Sequence, residues 1–393
     1  MTNTKHHMLR LALAAAGGLL LFNVLAFAFG QAPLAMLHAA WQGTWGTAYG
    51  AGQVMFKATP LLLTGLAFHV ALRAGMFNIG TEGQLALGSL AGAWVAARLP
   101  ANTTTLVAVA SALTAALLTG AGYAAIAGVM RARLGVHEII STIMLNRCAE
   151  VLLPWLLVVV LGATELRSNN IVAGARLLPL STWFYSLRGS AASCAFPLAI
   201  IVTVGVYAWL KHSRAGREMR WLGMNTQVCE AQGIDVPRRR LQAMLLSGAL
   251  AGAAITGTVL GYKGYFELGL GAGAGFSGIA VAMVGRRSAW SMVLSALAFG
   301  TLAQAGLATN AQLPKEAMGI LEAVVILFMA AATQRHRHRV AAAPPDNGSR
   351  NKERQQAAQH EQPAHAGDDV NDAHADNKAT LAARPGGKEP AGA

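Results

Sequence analysis

The stretch Arg73-Ala-Gly-Met-Phe-Asn-Ile-Gly-Thr-Glu-Gly-Gln84 sets Asn78, Thr81, Glu82 and Gln84 among glycines at the start of an apolar run. A carboxylate there is expensive unless it is paired, hydrogen-bonded or facing water. The glycines allow close helix packing and local unwinding. One reading is a broken helix lining a solute path; the other is a polar loop at a membrane surface, capped by Asn78 or Thr81. A second stretch, Leu268-Gly-Leu-Gly-Ala-Gly-Ala-Gly-Phe-Ser-Gly278, precedes an apolar run that ends at Gly285. Glycine-dense backbone before a half-length helix suggests re-entrant chain, which membranes tolerate only inside protein or beside a wet cavity. The two stretches occupy corresponding places in the two halves of the chain. That pairing is the pattern of a transport site, and it leaves an inverted-repeat core open.

A third stretch, residues 211–240, mixes charged and apolar residues at helical spacing and stops at Gly233 and Pro237. It fits a short surface helix, either a docking element for a cytoplasmic partner or a basic loop on anionic lipid. The signatures of several enzymes are absent. There is no G-x-x-x-x-G-K-[ST], no H-E-x-x-H and no G-x-S-x-G. His336 and His338 stand in an Arg-rich flank, and His360, His365 and His374 are scattered. Cys148, Cys194 and Cys229 have no paired spacing, so no disulfide or metal site is assigned.

The elements that must carry these stretches are membrane helices. Of the 393 residues, 54% are hydrophobic and 12% charged, against about one quarter charged in a soluble protein. Residues 1–339 hold only ten acidic residues, too few to cover a soluble globule of that size. Apolar runs near the roughly 20 residues that span a bilayer lie at 9–30, 54–72, 77–98, 103–130, 137–162, 195–210, 241–262, 275–285, 289–308 and 318–334. The run at 275–285 is too short to cross alone. Met8 to Phe29 is longer than a signal-peptide core and reads as a retained helix. Segments 31–53 and 163–194 read as loops on one side, with Trp41, Trp45, Tyr49, Trp183, Phe184 and Tyr185 as interfacial aromatics.

The formal charge of +13 falls in clusters between the apolar runs. With the N-terminus inside and the runs alternating, 17 Lys and Arg before the tail face the cytoplasm and seven face the other side. That asymmetry predicts both termini in the cytoplasm and attributes the basicity to topology and membrane lipid, not to nucleic acid. Beyond Arg339 the composition turns to Ala, Pro, Gln, His, Asp and Gly, and a disordered tail over 340–393 is expected. The fold class is therefore an all-α polytopic membrane protein: a transmembrane unit over 1–339 with about ten hydrophobic spans and broken or re-entrant helices, then the tail.

At this point the motifs acquire a resemblance. Gly75–Gly88 resembles the signature N-I-G-x-E-G-Q of ABC importer permeases for nucleosides, part of the wider family that also moves ribose-like sugars and branched-chain amino acids. His137-Glu-Ile-Ile-Ser-Thr-Ile-Met-Leu-Asn146 resembles that family's E-[VI]-I-S-T-I-M-L-N segment. Asn225 through Ile234 is similar to its ATPase-coupling loop, although Val228 and Cys229 stand where small alanines are common. Leu246–Gly252, Gly275–Gly285 and Leu313–Gly319 also resemble family segments, so the likeness covers roughly residues 55–333.

The resemblance implies one transmembrane subunit of an ATP-driven nucleoside importer in a bacterial inner membrane. It implies alternating access without covalent chemistry and no cofactor in this chain. ATP would be used by a separate cytoplasmic ATP-binding subunit. A homologous second permease subunit and an extracytoplasmic substrate-binding protein complete the set. Expected path residues are Asn78, Glu82 and Gln84, with Ser141, Thr142 and Asn146 in an interrupted fifth helix, and Phe276 and Ser277. Expected coupling residues are Asn225, Glu230, Ala231, Gly233 and Ile234. A permease for a simple sugar such as ribose remains an alternative, and purine and pyrimidine nucleosides are not separated. Glu82 and Glu138 keep an ion-coupled secondary transporter open, and a scaffold or channel would not need the coupling loop.

Overall fold

Apolar runs of this length bury their backbone polar groups only by becoming helices, and the named elements of the computed structural model are all helices. It describes residues 17, 18, 20–24, 26–310 and 324. The helices are α1 Pro33–Gly43, α2 Ala48–Arg73, α3 Thr81–Arg98, α4 Thr105–Leu134, α5 Glu138–Trp155 and α6 Ala195–His212. Two short helices follow, α7 Arg214–Leu222 and α8 Thr226–Ala231. Then come α9 Val236–Gly252, α10 Ala274–Gly285 and α11 Ala289–Thr309. Wider π turns extend α5 over Leu156–Val160 and follow α9 over Thr256–Lys263. Among the described residues the extended pairing is limited to two isolated bridges, Arg167 with Glu267 and Pro179 with Ser193.

Six helices are long and apolar enough to cross a membrane: α2, α4, α5 with its π turn, α6, α9 with its π segment, and α11. A seventh span is added if Leu20–Ala28 and α1, bent by 117°, count as one. The expected count of about ten is not reached among the described residues. α3 is 18 residues long but opens on the polar motif, and α10 has 12 residues, as the short eighth run required. The start of the expected first helix up to residue 16, the expected span at 318–334 apart from residue 324, the segment Leu313–Gly319 and the tail over 340–393 lie outside the described residues. One expectation is corrected: 31–53 is not a plain loop. Pro33 starts α1, and the Thr47 hydroxyl accepts the Gly50 amide to cap α2.

Burial sorts the helices into an interior and a rim. The apolar windows of α2 and of α9 with its π segment are each 83% buried, whereas those of α4 and α5 are 22% buried. α2 packs against α9, α10 and α11, and α4 packs along α3 and α9. The α4–α9 seam is a small-residue seam. Ala116, Gly120 and Ala124 face Gly248 and Gly252, and a β-carbon added to Gly120 or Gly248 would strike the other residue's carbonyl oxygen. Backbones can approach this closely only where side chains are absent or minimal, and dispersion then replaces the missing hydrophobic drive between helices in lipid.

Candidate functional site

The chain between α2 and α3 folds into the interior. Asn78 is fully buried. Its amide nitrogen donates to Gln84 Oε1 at 2.8 Å and to Ser247 Oγ at 2.8 Å, while its Oδ1 accepts from Gln84 Nε2 at 3.0 Å and from the Gly80 amide at 3.1 Å. Ser247 in turn donates to the Ala67 carbonyl at 2.7 Å. One asparagine thus ties the turn before α3 to α3 itself, α9 and α2. Asn146 does the same from α5: its Oδ1 accepts the Gly83 amide at 3.0 Å and its Nδ2 donates to the Ile79 carbonyl at 2.9 Å. Buried amides this fully partnered are the satisfied alternative to a polar group stranded in hydrocarbon.

Glu82 joins the two glycine-rich stretches. Its carboxylate oxygens accept the backbone amides of Gly273 and Gly275, both at 2.7 Å. Gly273, the N-cap of α10, has φ +85 and no side chain with which to cap. Glu82 therefore caps α10 from another helix, with its negative charge on the positive end of the helix dipole. The Thr81 hydroxyl donates to the Gly275 carbonyl at 3.1 Å, and the Thr64 hydroxyl to the Ala274 carbonyl at 2.8 Å. Gly275 leaves room for this contact, since a β-carbon there would meet the Glu82 backbone. Phe276 is 47% exposed beside the junction, and the Ser277 amide donates to the Gly273 carbonyl at 2.9 Å.

The remaining expected path residues behave differently. α5 is unbroken through Ser141, Thr142 and Asn146; its irregular turn comes later, over Leu156–Val160, after Pro154. This corrects the expected interruption. Both hydroxyls bond back to the Glu138 carbonyl, Thr142 at 2.7 Å and Ser141 at 3.1 Å, the usual resolution for hydroxyls inside a helix. Glu138 is buried at the start of α5. It accepts the Phe77 amide at 3.3 Å and lies 3.3 Å from Arg131 Nε. Sequence reasoning missed Thr64, Ser247 and Arg131 as partners of these motifs. Single hydroxyls in apolar helices carry no spacing signal, though Ser247 falls within one of the recognised segments.

At the same end of the bundle lie α7 and α8, in the stretch that carries the expected coupling residues. Asn225 caps α8 by accepting the Val228 amide at 3.2 Å, and Gly233, at φ +73, ends the turn that follows. Asn225, Glu230, Ala231 and Gly233 are exposed, and Ile234 is half-buried. Cys229 is buried with Ala74, Met219, Leu222, Val236 and Ala243, which seats α7 and α8 on the turn that begins the Asn78 motif. Burial raises the Cys229 thiol above its ordinary value. The departure from small alanines therefore changes the outer surface at Val228, 52% exposed, and only the anchor at Cys229.

Residues 50–330 match the family described as branched-chain amino acid transport system / permease component. The chain is 33% identical to the guanosine ABC transporter permease protein NupP of Bacillus subtilis over 75% of this chain and 84% of that protein. It is 30% identical to the nucleoside ABC transporter permease protein NupB of Lactococcus lactis over 84% of this chain and 92% of that protein. It is also 31% identical to the glucose ABC transporter permease protein TsgB13 of Haloferax volcanii over 72% of this chain and 76% of that protein. No solved structure matches the chain. The family match takes in the Asn78 knot, the Glu82 cap and the α7–α8 loop together, and the chain belongs to this family of permease components, a multi-pass transporter subunit and not an enzyme.

Proposed function

We propose that this chain forms the translocation path for a nucleoside in an ATP-driven importer. The observation that carries the reading is the similarity, over most of the chain, to permeases named for guanosine and for nucleosides. The working unit is this chain with a homologous second permease subunit, a cytoplasmic ATPase and an extracytoplasmic substrate-binding protein. ATP is consumed by the ATPase, since this sequence has no P-loop. Asn225, Glu230, Ala231, Gly233 and Ile234 present the docking surface. Glu82, Phe276 and Ser277 border the path, while Asn78, Gln84, Asn146, Ser141 and Thr142 hold its wall. The transmembrane unit runs to residue 339 with about ten spans in a bacterial inner membrane, and both termini face the cytoplasm.

A sugar reading is favoured by one observation, the 31% identity to a glucose permease. The test is uptake of labelled guanosine and labelled glucose into proteoliposomes holding the complete complex with ATP inside. Guanosine uptake that needs ATP and survives collapse of the proton gradient is expected. Glucose uptake without guanosine uptake overturns the nucleoside reading, and uptake driven by the proton gradient without ATP overturns the ATP-driven one. The topology is checked on a Cys-free background with Tyr185→Cys, because Tyr185 is 75% exposed. Labelling from the extracytoplasmic side is expected, and labelling from the cytoplasmic side alone reverses the map.

A further inference from the structure

The N-terminal half of α2 carries a stripe that no recognised motif includes. Tyr49, Gln53, Phe56 and Lys57 recur at helical spacing and share one face. Gln53 Nε2 donates to the Tyr49 hydroxyl at 2.9 Å. One turn on, the Phe56 ring lies 4.7 Å from the Tyr262 ring with the planes at 52°. Tyr262 is 47% exposed. The Lys57 ammonium sits 5.6 Å from the centre of the Phe56 ring. Nearby Lys263 is paired with Glu267 at 2.9 Å and also lies 5.9 Å from the centre of the Tyr262 ring, whereas among the described residues no carboxylate pairs with Lys57.

Lys57 stands three residues into the apolar run that opens at 54, near the end of the span, where a lysine reaches the interface along its own stem. One feature marks this place as more than a patch of helix surface. Tyr262 belongs to an eight-residue π segment, Thr256–Lys263; π turns are rare, are usually single turns, and concentrate at functional sites. The segment runs along α2, with Gly257 against Thr59 and Pro60. It also faces the glycine-rich loop: a β-carbon on Gly271 would lie 3.4 Å from Thr258 Cγ2. That loop leads to Glu82 and the exposed Phe276.

We propose that Phe56, Lys57 and Tyr262 form a stacking shelf for the base of a nucleoside on its way to the Glu82–α10 junction, an inference that rests on the nucleoside reading. The Tyr262 ring is half-exposed, with Phe56 on one side and the Lys263 ammonium 5.9 Å from its centre, and an aromatic ring takes any flat heterocycle against the part left open. The Lys57 ammonium donates to a keto oxygen at the edge of the base. A hexose meets an aromatic ring only through its C–H face, whereas a base adds π stacking, so the shelf favours a base-bearing solute and, through Lys57, a keto base over an amino base.

The test uses the complete complex in proteoliposomes, with initial rates of labelled guanosine and adenosine uptake at several loadings. The variants are Tyr262→Ala, Tyr262→Phe, Phe56→Ala and Lys57→Met, each checked for membrane abundance and co-purification with the partner subunits. Tyr262→Ala and Phe56→Ala are expected to weaken uptake of both nucleosides about fivefold or more at low loading, the range of a lost base–aromatic stack. Tyr262→Phe keeps the π face and should retain uptake. Lys57→Met should weaken guanosine uptake more than adenosine uptake. If both alanine variants assemble normally and carry guanosine like the parent, the shelf is not a substrate site. If they lose abundance or subunit pairing in proportion to uptake, the rings are a membrane or subunit anchor and the proposal fails. A parent complex that carries glucose and neither nucleoside overturns the nucleoside reading and the shelf with it. A parent complex that carries guanosine, with variants unchanged, overturns the shelf alone.

Discussion

Around Asn78 the polar groups are buried and answered by other side chains, whereas on α7 and α8 apolar groups are left in the open. Asn78 and Gln84 are fully buried and bonded to each other. Trp221, Met224 and Val228 are 45%, 76% and 52% exposed. Both regions lie at one end of the bundle and touch through Ala74, Met219 and Leu222. The difference separates two tasks that a motif alone does not distinguish. A saturated polar knot holds helices in register, whereas a cluster of exposed apolar side chains is the kind of surface that marks interaction sites.

The largest effect that would test this contrast is at the knot. Asn78→Leu leaves Gln84 buried without its partner, strips the Gly80 amide of its acceptor and leaves Ser247 only its bond to the Ala67 carbonyl. The expected loss is about 1–3 kcal/mol, from the modest value of membrane polar contacts up to the penalty for a stranded buried group. Thermal unfolding of the purified subunit in detergent reads it. A variant as stable as the parent that fails only in uptake would turn Asn78 from a structural tie into a solute contact.

The next effect lies on the other side of the comparison. Gly233 is at φ +73 with open space around it, so a substitution there is limited by backbone strain and not by collision. Gly233→Val should cost about 1–3 kcal/mol of local order and strongly reduce ATPase co-purification and uptake, with membrane insertion intact. Gly233→Asn tolerates the left-handed region and should largely restore both. If Gly233→Val keeps full association while neutralising Arg238, Arg239 and Arg240 mislocalises the protein, the loop is a lipid anchor.

A smaller effect sits where the two glycine-rich stretches meet. Glu82→Ala removes the cap of α10 and should cost about 1–2 kcal/mol, the range of a lost N-cap. It should also open the 268–275 backbone to hydrogen exchange. Glu82→Gln keeps a single acceptor and should fall between alanine and parent. Unchanged exchange in Glu82→Ala would show that Thr64 and Thr81 suffice to hold the loop.

The helices were largely legible because a membrane span declares itself by a run of apolar residues. The expected run at 103–130 is α4, and that at 289–308 is α11, each within a few residues. The helix after the coupling loop begins at Val236 and not at 241, because Asp235 caps it by accepting the Arg238 amide and Pro237 fits its first turn. The two motifs were legible as glycine-interrupted polar stretches. Their meeting was not: Glu82 and Gly273 are 191 positions apart, and no local pattern encodes which backbone amide a carboxylate will find. The Phe56–Tyr262 pair was invisible for the same reason, since each ring is an ordinary aromatic in an apolar run until two helices bring them together.

The smallest effect concerns the tie between α7 and the bundle. Glu218 on α7 accepts from Arg214 Nε at 2.9 Å and from Arg239 Nε, on α9, at 2.5 Å. The hydrogen bond from Arg214, reinforced by Arg239, holds its carboxyl below the usual carboxylate range. A carboxyl lowered on folding contributes stability above its unfolded value and loses it as pH falls through the folded one. Protection of α7 amides should therefore be level from neutral pH down to mildly acidic conditions and drop only in acid. Glu218→Gln should remove that drop. The two arms are unequal. Arg214 is 88% exposed and stays on α7, so its pair is screened and local; Arg239 is 20% exposed and crosses to α9. Arg239→Gln should cost the upper part of the 0.2–1 kcal/mol typical of such pairs, about 1 kcal/mol, and Arg214→Gln about 0.2 kcal/mol. Hydrogen exchange of α7 in both variants decides it. Equal losses would erase the difference between the two arms, and no loss in either would mean that α7 is held by Met219 and Leu222 packing beneath it, with the charges along its flank contributing nothing to where it sits.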